Sequence, residues 1–126
     1  MNFLDSNILA YAFYQNKFQD NCQGIIRKGG VIDTINLVEA FNIIESETNR
    51  DTAITSLRAL LKSNIKIIDV DINIIFETLK RLEKYKKLKF LDLLHYMVAL
   101  LNNCKTIISY DLDFNNLEIP RKEGIA

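Results

Sequence analysis

The sequence is poor in the residues that cross-link or punctuate a chain: 126 residues include two cysteines, one histidine, one proline and four glycines. Cys22 and Cys104 stand far apart and form no C-x-x-C pair, and His95 alone cannot complete a thiolate–imidazole set, which excludes zinc chemistry. The scarcity of glycine and proline excludes collagen-like and low-complexity classes. No run of 18 uninterrupted apolar residues occurs, and no charged start precedes an apolar core segment, so neither a membrane span nor a secretory leader is expected. The expectation is a cytoplasmic protein with reduced thiols. Charge of neither sign dominates, since 16 basic residues balance 16 acidic ones. Attraction to a polyanion therefore has to come from local clusters rather than a whole-molecule field.

What is present is an ordinary globular mixture, 48% hydrophobic and 25% charged, long enough to bury a core as one domain over 1–126. Short β-branched runs at Phe3-Leu4, Val31-Ile32, Ile65 to Val70 and Thr106 to Ile108 read as strands, with Leu117 to Ile119 as a short last one. Four segments between them carry 3.6-residue spacing: Gln19 to Lys28, then Leu37, Phe41 and Ile44, then Ile54, Leu57, Leu60 and Leu61, then Ile72, Ile75, Phe76 and Leu79. Phe90 to Asn103 is apolar almost all round and predicts a helix buried on more than one side. Strands alternating with helices predict a three-layer α/β/α domain whose central sheet, of four or five strands, is mostly parallel.

Acidic residues collect where strands end: Asp5, Asp33, Asp69 with Asp71, and Asp111 with Asp113. In an open parallel sheet the crevice outside the carboxyl ends of the strands is the ligand site, so these acids would share one space. Clustered carboxylates repel one another unless cations occupy the cluster, and an oxygen-only donor set favours Mg²⁺ or Mn²⁺ over zinc or copper. Such ions assist phosphodiester hydrolysis.

Each position also has a purely local reading. Asp5 in Asp5-Ser6-Asn7 is a good N-cap for a helix beginning near Ile8, and Asn36-Leu37-Val38-Glu39 has capping-box spacing. Asp92, entering an apolar helix, must be capped, paired or metal-bound, because a bare buried carboxylate costs about several kcal/mol. His95 and Ala99 share its helix face. Asp111-Leu112-Asp113 suits an Asx-rich turn, and an EF-hand is excluded because Asn116 and Lys122 occupy its glycine and closing-glutamate positions. Asp33, Asp69, Asp71, Glu45 and Glu47 read as solvated or capping groups.

Four blocks taken together resemble the PIN-domain ribonuclease family, and within it the small stand-alone toxins of VapC type. They are Phe3-Leu4-Asp5-Ser6-Asn7-Ile8-Leu9, Leu37-Val38-Glu39-Ala40-Phe41, Phe90-Leu91-Asp92-Leu93-Leu94-His95, and Ile107 to Phe114 with its Ser109-Tyr110-Asp111-Leu112-Asp113 core. The resemblance spans essentially the whole chain; Tyr96, Met97 and Val98 depart from it, standing where relatives often have small residues. It implies metal ligands at Asp5, Asp92, Asp111 and Glu39, with Asp113 completing the acidic pocket. Ser6, Asn7, Ser109 and His95 would hold those groups in place.

The implied reaction is metal-assisted attack of water on an RNA phosphodiester, leaving 5′-phosphate and 3′-hydroxyl ends. A homodimer and a cognate antitoxin are implied partners. The stretch Lys80 to Lys89 has six basic residues and one acid, so Lys86, Lys87 and Lys89 are candidate phosphate contacts, with Tyr85 available for stacking. A non-toxin RNA-processing nuclease and an inactive RNA- or protein-binding module are the alternatives within the fold. A Mg-dependent receiver domain is remote, because adjacent acids after the first strand and a lysine after the last are missing. Glycine-rich phosphate loops are missing as well.

Overall fold

The computed structural model describes residues 1–124. Its strands are β1 (Asn2–Leu4), β2 (Val31–Asp33), β3 (Lys66–Ile68), β4 (Thr106–Ile108) and β5 (Arg121–Lys122). Its helices are α1 (Ser6–Tyr11), α2 (Gln19–Lys28), α3 (Thr34–Glu47), α4 (Arg50–Leu61), α5 (Ile72–Arg81) and α6 (Phe90–Leu101). The strands form one five-stranded, all-parallel sheet in the order β3-β2-β1-β4-β5. The chain winds outward from β1 through β2 to β3, then crosses back to build β4 on the other side of β1. That reversal makes the β1/β4 boundary the topological switch point, where ligand crevices open.

Period-2 alternation assigns each strand to two cores. Phe3, Val31 and Ile107 face a cluster with α6 residues such as Leu93, Tyr96 and Met97. Leu4, Ile32 and Ile108 face a second cluster with Ile8 and Leu9 of α1, Ile25 of α2, Ala40 and Ile44 of α3, and Leu60 of α4. Helices therefore cover both faces of the sheet, as the alternating pattern predicts. Cys22 and Cys104 are free thiols, one in each core. Entry into β2 uses Gly29 (φ 84°) to end α2 and Gly30 (φ 159°), where a Cβ would lie 2.9 Å from the Asn2 carbonyl oxygen.

Several details differ from the sequence reading. The helix capped by Asp5 begins at Ser6 rather than near Ile8, and its six residues are too few to show periodicity, so it makes a fifth before residue 90. The last strand follows Pro120 rather than spanning Leu117 to Ile119; that segment instead supplies Ile119, whose amide donates to Tyr96 Oη (3.1 Å). On α5 the buried residues are Ile74 and Thr78, whereas Ile72, Phe76 and Leu79 are 62%, 58% and 52% exposed. Tyr85 is buried with its hydroxyl donating to Glu118 (2.6 Å), so it offers no open face for stacking. Tyr96, Met97 and Val98 are fully absorbed into the core, and α6 is buried at seven consecutive positions, Leu93 to Ala99.

Candidate metal centre and its buried support

The acids reach the switch point from four elements. Asp5 ends β1 and begins α1; its amide donates to the Ile108 carbonyl (3.0 Å), which extends the β1/β4 pairing to the rim of the crevice. Its Oδ1 accepts from the Ser6 amide (2.8 Å) and its Oδ2 from Ser109 Oγ (2.5 Å). Asp5 thus realises its helix-cap reading, and its carboxylate stays at the rim of the crevice beside Ser109. Burial, ahead of these stabilising bonds, raises its pKa above the usual carboxylate value.

Asp111 follows β4. Its amide donates to the same Ser109 Oγ (2.9 Å), and its Oδ1 accepts from the Asp113 amide (2.9 Å) in an Asx turn that opens a 3-10 turn at Leu112–Phe114. That turn aims both acids into one space. Asp92 lies in the first turn of α6, whose N-cap is Lys89 with no side-chain cap bond. Among the described residues its carboxylate accepts no hydrogen bond, so the capping reading is not realised.

Ligand oxygens of Asp92, Asp111 and Asp113 lie within 4.8 Å of one another. Partial burial, then the charges of Asp111 and Asp5, push the Asp92 pKa up to about 6. An acid left without donors and crowded by like charge is not held by a structural ion pair, and its charge is open to a cation. Asn7 adds to this: its Nδ2 reaches toward Asp5 Oδ2 (3.4 Å), while its Oδ1 is buried with no protein partner. That acceptor is left for a group the protein does not itself supply, and the all-oxygen set fits a divalent cation.

Glu39 sits on α3 beside this cluster, not at the helix start. The capping box of α3 is formed by Asp33 and Asn36 instead, which corrects the Asn36–Glu39 assignment: Asn36 N donates to Asp33 Oδ1 (2.9 Å) and Asp33 N to Asn36 Oδ1 (2.8 Å). Glu39 Oε1 accepts from Ser6 Oγ (2.6 Å) and pairs with His95 Nε2 (2.6 Å). His95 Nδ1 pairs with Asp33 Oδ2 (2.6 Å), and Asn36 Nδ2 donates to Ser6 Oγ (2.8 Å). The five residues close a ring, Asp33–His95–Glu39–Ser6–Asn36.

The Asp33 side chain is 0% exposed and that of His95 1%, so of the two readings of Asp33 the solvated one is overturned and the capping one holds. The sequence carries a signal for this: an acid at a strand end before an apolar helix, with a lone histidine elsewhere needing a partner. Two carboxylate neighbours need both ring nitrogens to donate. Burial alone would lower the His95 pKa, but Asp33 and Glu39 outweigh it and raise it to about 10. For Glu39, partial burial raises the pKa, but the His95 and Ser6 bonds prevail and hold it below the usual value. His95 is therefore held as an imidazolium between Asp33 and Glu39.

The other strand-end acids stay away. Asp71 caps α5 by accepting from the Ile74 amide (3.0 Å) and Asp69 is exposed, because β3 lies two strands from β1. Glu45 pairs with Arg50 at the surface. Lys86, Lys87 and Lys89 are exposed in the turns between α5 and α6.

A parallel α/β sheet with a carboxylate cluster at its switch point defines a class of domains with an acidic ligand crevice. The chain belongs to the PIN domain family, whose model matches residues 3–120. No curated protein matches its sequence. Three solved structures share the fold. The VapC20 toxin of Mycobacterium tuberculosis, a sarcin-ricin loop cleaving toxin, is 11% identical with a TM-score of 0.81, over 94% of this chain and 96% of that one. A toxin–antitoxin complex from Klebsiella pneumoniae is 18% identical with a TM-score of 0.71, covering 94% and 93%. VapBC2 from Rickettsia felis, bound to a DNA fragment from its promoter, is 23% identical with a TM-score of 0.69, covering 96% of both chains. No described helix is long and apolar enough to cross a membrane.

Proposed function

We propose that this protein is a divalent-metal-dependent endoribonuclease and the toxin of a VapBC-type toxin–antitoxin pair, using Mg²⁺ or Mn²⁺. The observation that carries the proposal is the convergence of Asp92, Asp111 and Asp113 within 4.8 Å, with Asp5 tied to Asp111 through one serine hydroxyl. Asp5, Asp92, Asp111 and Glu39 would hold the ion, and Asp113 would share it. A divalent ion bound there supplies Lewis acidity to the phosphate and lowers the pKa of water. Ser109 fixes Asp5 and Asp111 relative to each other, and Ser6 and His95 fix Glu39. Water adds to phosphorus as the 3′ oxygen departs with a proton, giving 5′-phosphate and 3′-hydroxyl ends.

Total RNA incubated with the purified protein tests this. Cleavage is expected with Mg²⁺ or Mn²⁺ and none with chelator, and readdition of either ion restores it. Cleavage that persists in chelator refutes the metal assignment.

Lys86, Lys87 and Lys89 are the proposed phosphate contacts. Replacing all three with alanine is expected to weaken RNA binding and to lower the slope of log K against log salt by about 0.7 for each phosphate no longer neutralised. An unchanged slope removes these lysines from the interface.

The toxin reading draws on the architecture shared with the three structures, and it predicts that an adjacent antitoxin frame, co-expressed, restores growth. The proposed homodimer draws on α5, whose exposed Ile72, Phe76 and Leu79 form an i, i+4, i+7 stripe. Sedimentation should show a dimer at micromolar concentration and a monomer for Phe76→Glu. A monomeric wild type dismisses this surface as a self-contact.

A further inference from the structure

Beside the acidic cluster lies a half-enclosed hollow of about 540 Å³, between the turns at 83–88 and the segment at 112–117. Asp113 lines it and also belongs to the group with Asp92 and Asp111, so the hollow borders the candidate metal centre through that residue. Leu88, Leu112 and Leu117 give it apolar walls, and Lys86, Lys87 and Asn116 supply polar groups. Of the other polar groups there, Lys84 and Tyr85 pair with Glu118 and Asn115 with Arg121, while the exposed Glu83 at the rim adds a carboxylate that the lysines must outweigh. Among the described residues, the two lysines and the Asn116 amide pair with no other side chain.

We propose that this hollow is a base subsite, which takes one unpaired base of the nucleotide next to the scissile phosphate. The proposal rests on the ribonuclease reading above. The occupant must satisfy three chemistries at once. It must be flat and partly apolar for the leucine walls, carry edge donors and acceptors for an amide, and bear phosphate that the lysines and the acid-bound cation can share. A nucleotide meets all three. An acidic peptide lacks the flat edge, and a lipid head lacks the apolar plane at this depth. The volume falls in the ~300–1,000 Å³ range of small-ligand sites and suits one nucleotide rather than a stretch. A base reaches such a hollow only when it is unpaired, which selects single strands and loops over duplex.

The backbone offers a clean probe. Asn116 has φ 62°, a left-handed conformation that asparagine tolerates and glycine adopts freely. Asn116→Gly therefore deletes the amide without straining the turn. Leu112 is 64% exposed, so Leu112→Glu puts a negative charge at the wall with little effect on the core.

The test titrates chelator-treated, ¹⁵N-labelled protein with the four nucleoside 5′-monophosphates and with inorganic phosphate, followed by backbone amide shifts. Shifts confined to residues 83–88 and 112–117 are expected, with affinities that differ among the four bases. Asn116→Gly should shrink that preference by about five- to a hundredfold, the range an amide–base pair commands. Leu112→Glu should abolish the shifts, and Lys86→Ala with Lys87→Ala should weaken all four nucleotides alike. No shifts in these segments, or the same shifts with inorganic phosphate, overturns the subsite. Cleavage-site sequencing separates the two readings. RNA cut with the same base preference by wild type and Asn116→Gly sinks the subsite alone, whereas nucleotide binding without cleavage under either metal sinks the ribonuclease alone.

Discussion

Asp92→Asn is expected to lower RNA cleavage by about a thousandfold while leaving the metal-free fold as stable as before, or more so. The loss reflects a group asked to supply about 4 kcal/mol of transition-state stabilisation through the ion it helps hold. The stability effect has the opposite sign because Asp92 is partly buried and, next in weight, crowded by Asp111 and Asp5. Its folded pKa of about 6 exceeds the ordinary 3.8, so the native state binds the proton more tightly than the unfolded chain. By linkage, its contribution makes the metal-free protein more stable as pH falls from about 6 toward 4. The asparagine variant should lack that rise. Thermal melts of both proteins in chelator from pH 4 to 8 check the sign, and a melting point lowered at pH 8 contradicts the crowding. The same competition predicts that Mn²⁺ binding to the wild type weakens as pH drops below about 6.

Asp33→Ala should be the most destabilising change at the site. Removing one partner of a buried charged pair costs about 3–5 kcal/mol, and here the same carboxylate also caps α3. In a domain of this size that corresponds to a melting point lower by about 10–20 °C. Asp33→Asn should fall between, since its side-chain oxygen can still accept from the Asn36 amide while the charge is gone.

The pH dependence separates the two functions of Asp33. His95 has a folded pKa raised to about 10 from 6.5, so its contribution is complete below pH 6.5 and is lost as pH climbs through about 10. Wild type should lose stability over that window, and Asp33→Asn should lose much less. Equal slopes for the two proteins would show that His95 is not held as a cation by Asp33. The chain has a single histidine, so its ring nitrogens give one unambiguous pair of NMR signals for the same comparison.

The strands and long helices are legible in the sequence because their periods are unambiguous; α2 occupies the residues its spacing predicts, and Phe90 onward is the buried helix its composition implies. The layers, strand number and strand direction follow from alternation. Residue patterns do not reveal which apolar stripe faces inward. On α5 the stripe of Ile72, Phe76 and Leu79 is as regular as any core face, yet the helix buries Ile74 and Thr78 and packs chiefly against α6. Periodicity shows that a face exists, not what covers it. The acids are similar. Asp5, Asp92, Asp111 and Asp113 stand out because each follows a strand or begins a buried helix. Asp33 reads as a solvated or capping group; the cap is realised at α3, but its burial against His95, 62 residues away, is not legible. A buried charge network is a property of tertiary neighbours, and only the solitary histidine hints that such a partner is required.

The pairing of β1 with β4 couples positions about a hundred residues apart, Asn2 to Leu4 against Thr106 to Ile108. During translation Asp5 leaves the ribosome long before Asp111 and Asp113 have been polymerised. The nascent chain cannot assemble its carboxylates until the last strands emerge and dock. A chain built this way cannot present its full acidic set before β4 has paired with β1, a dependence that comes from strand order alone.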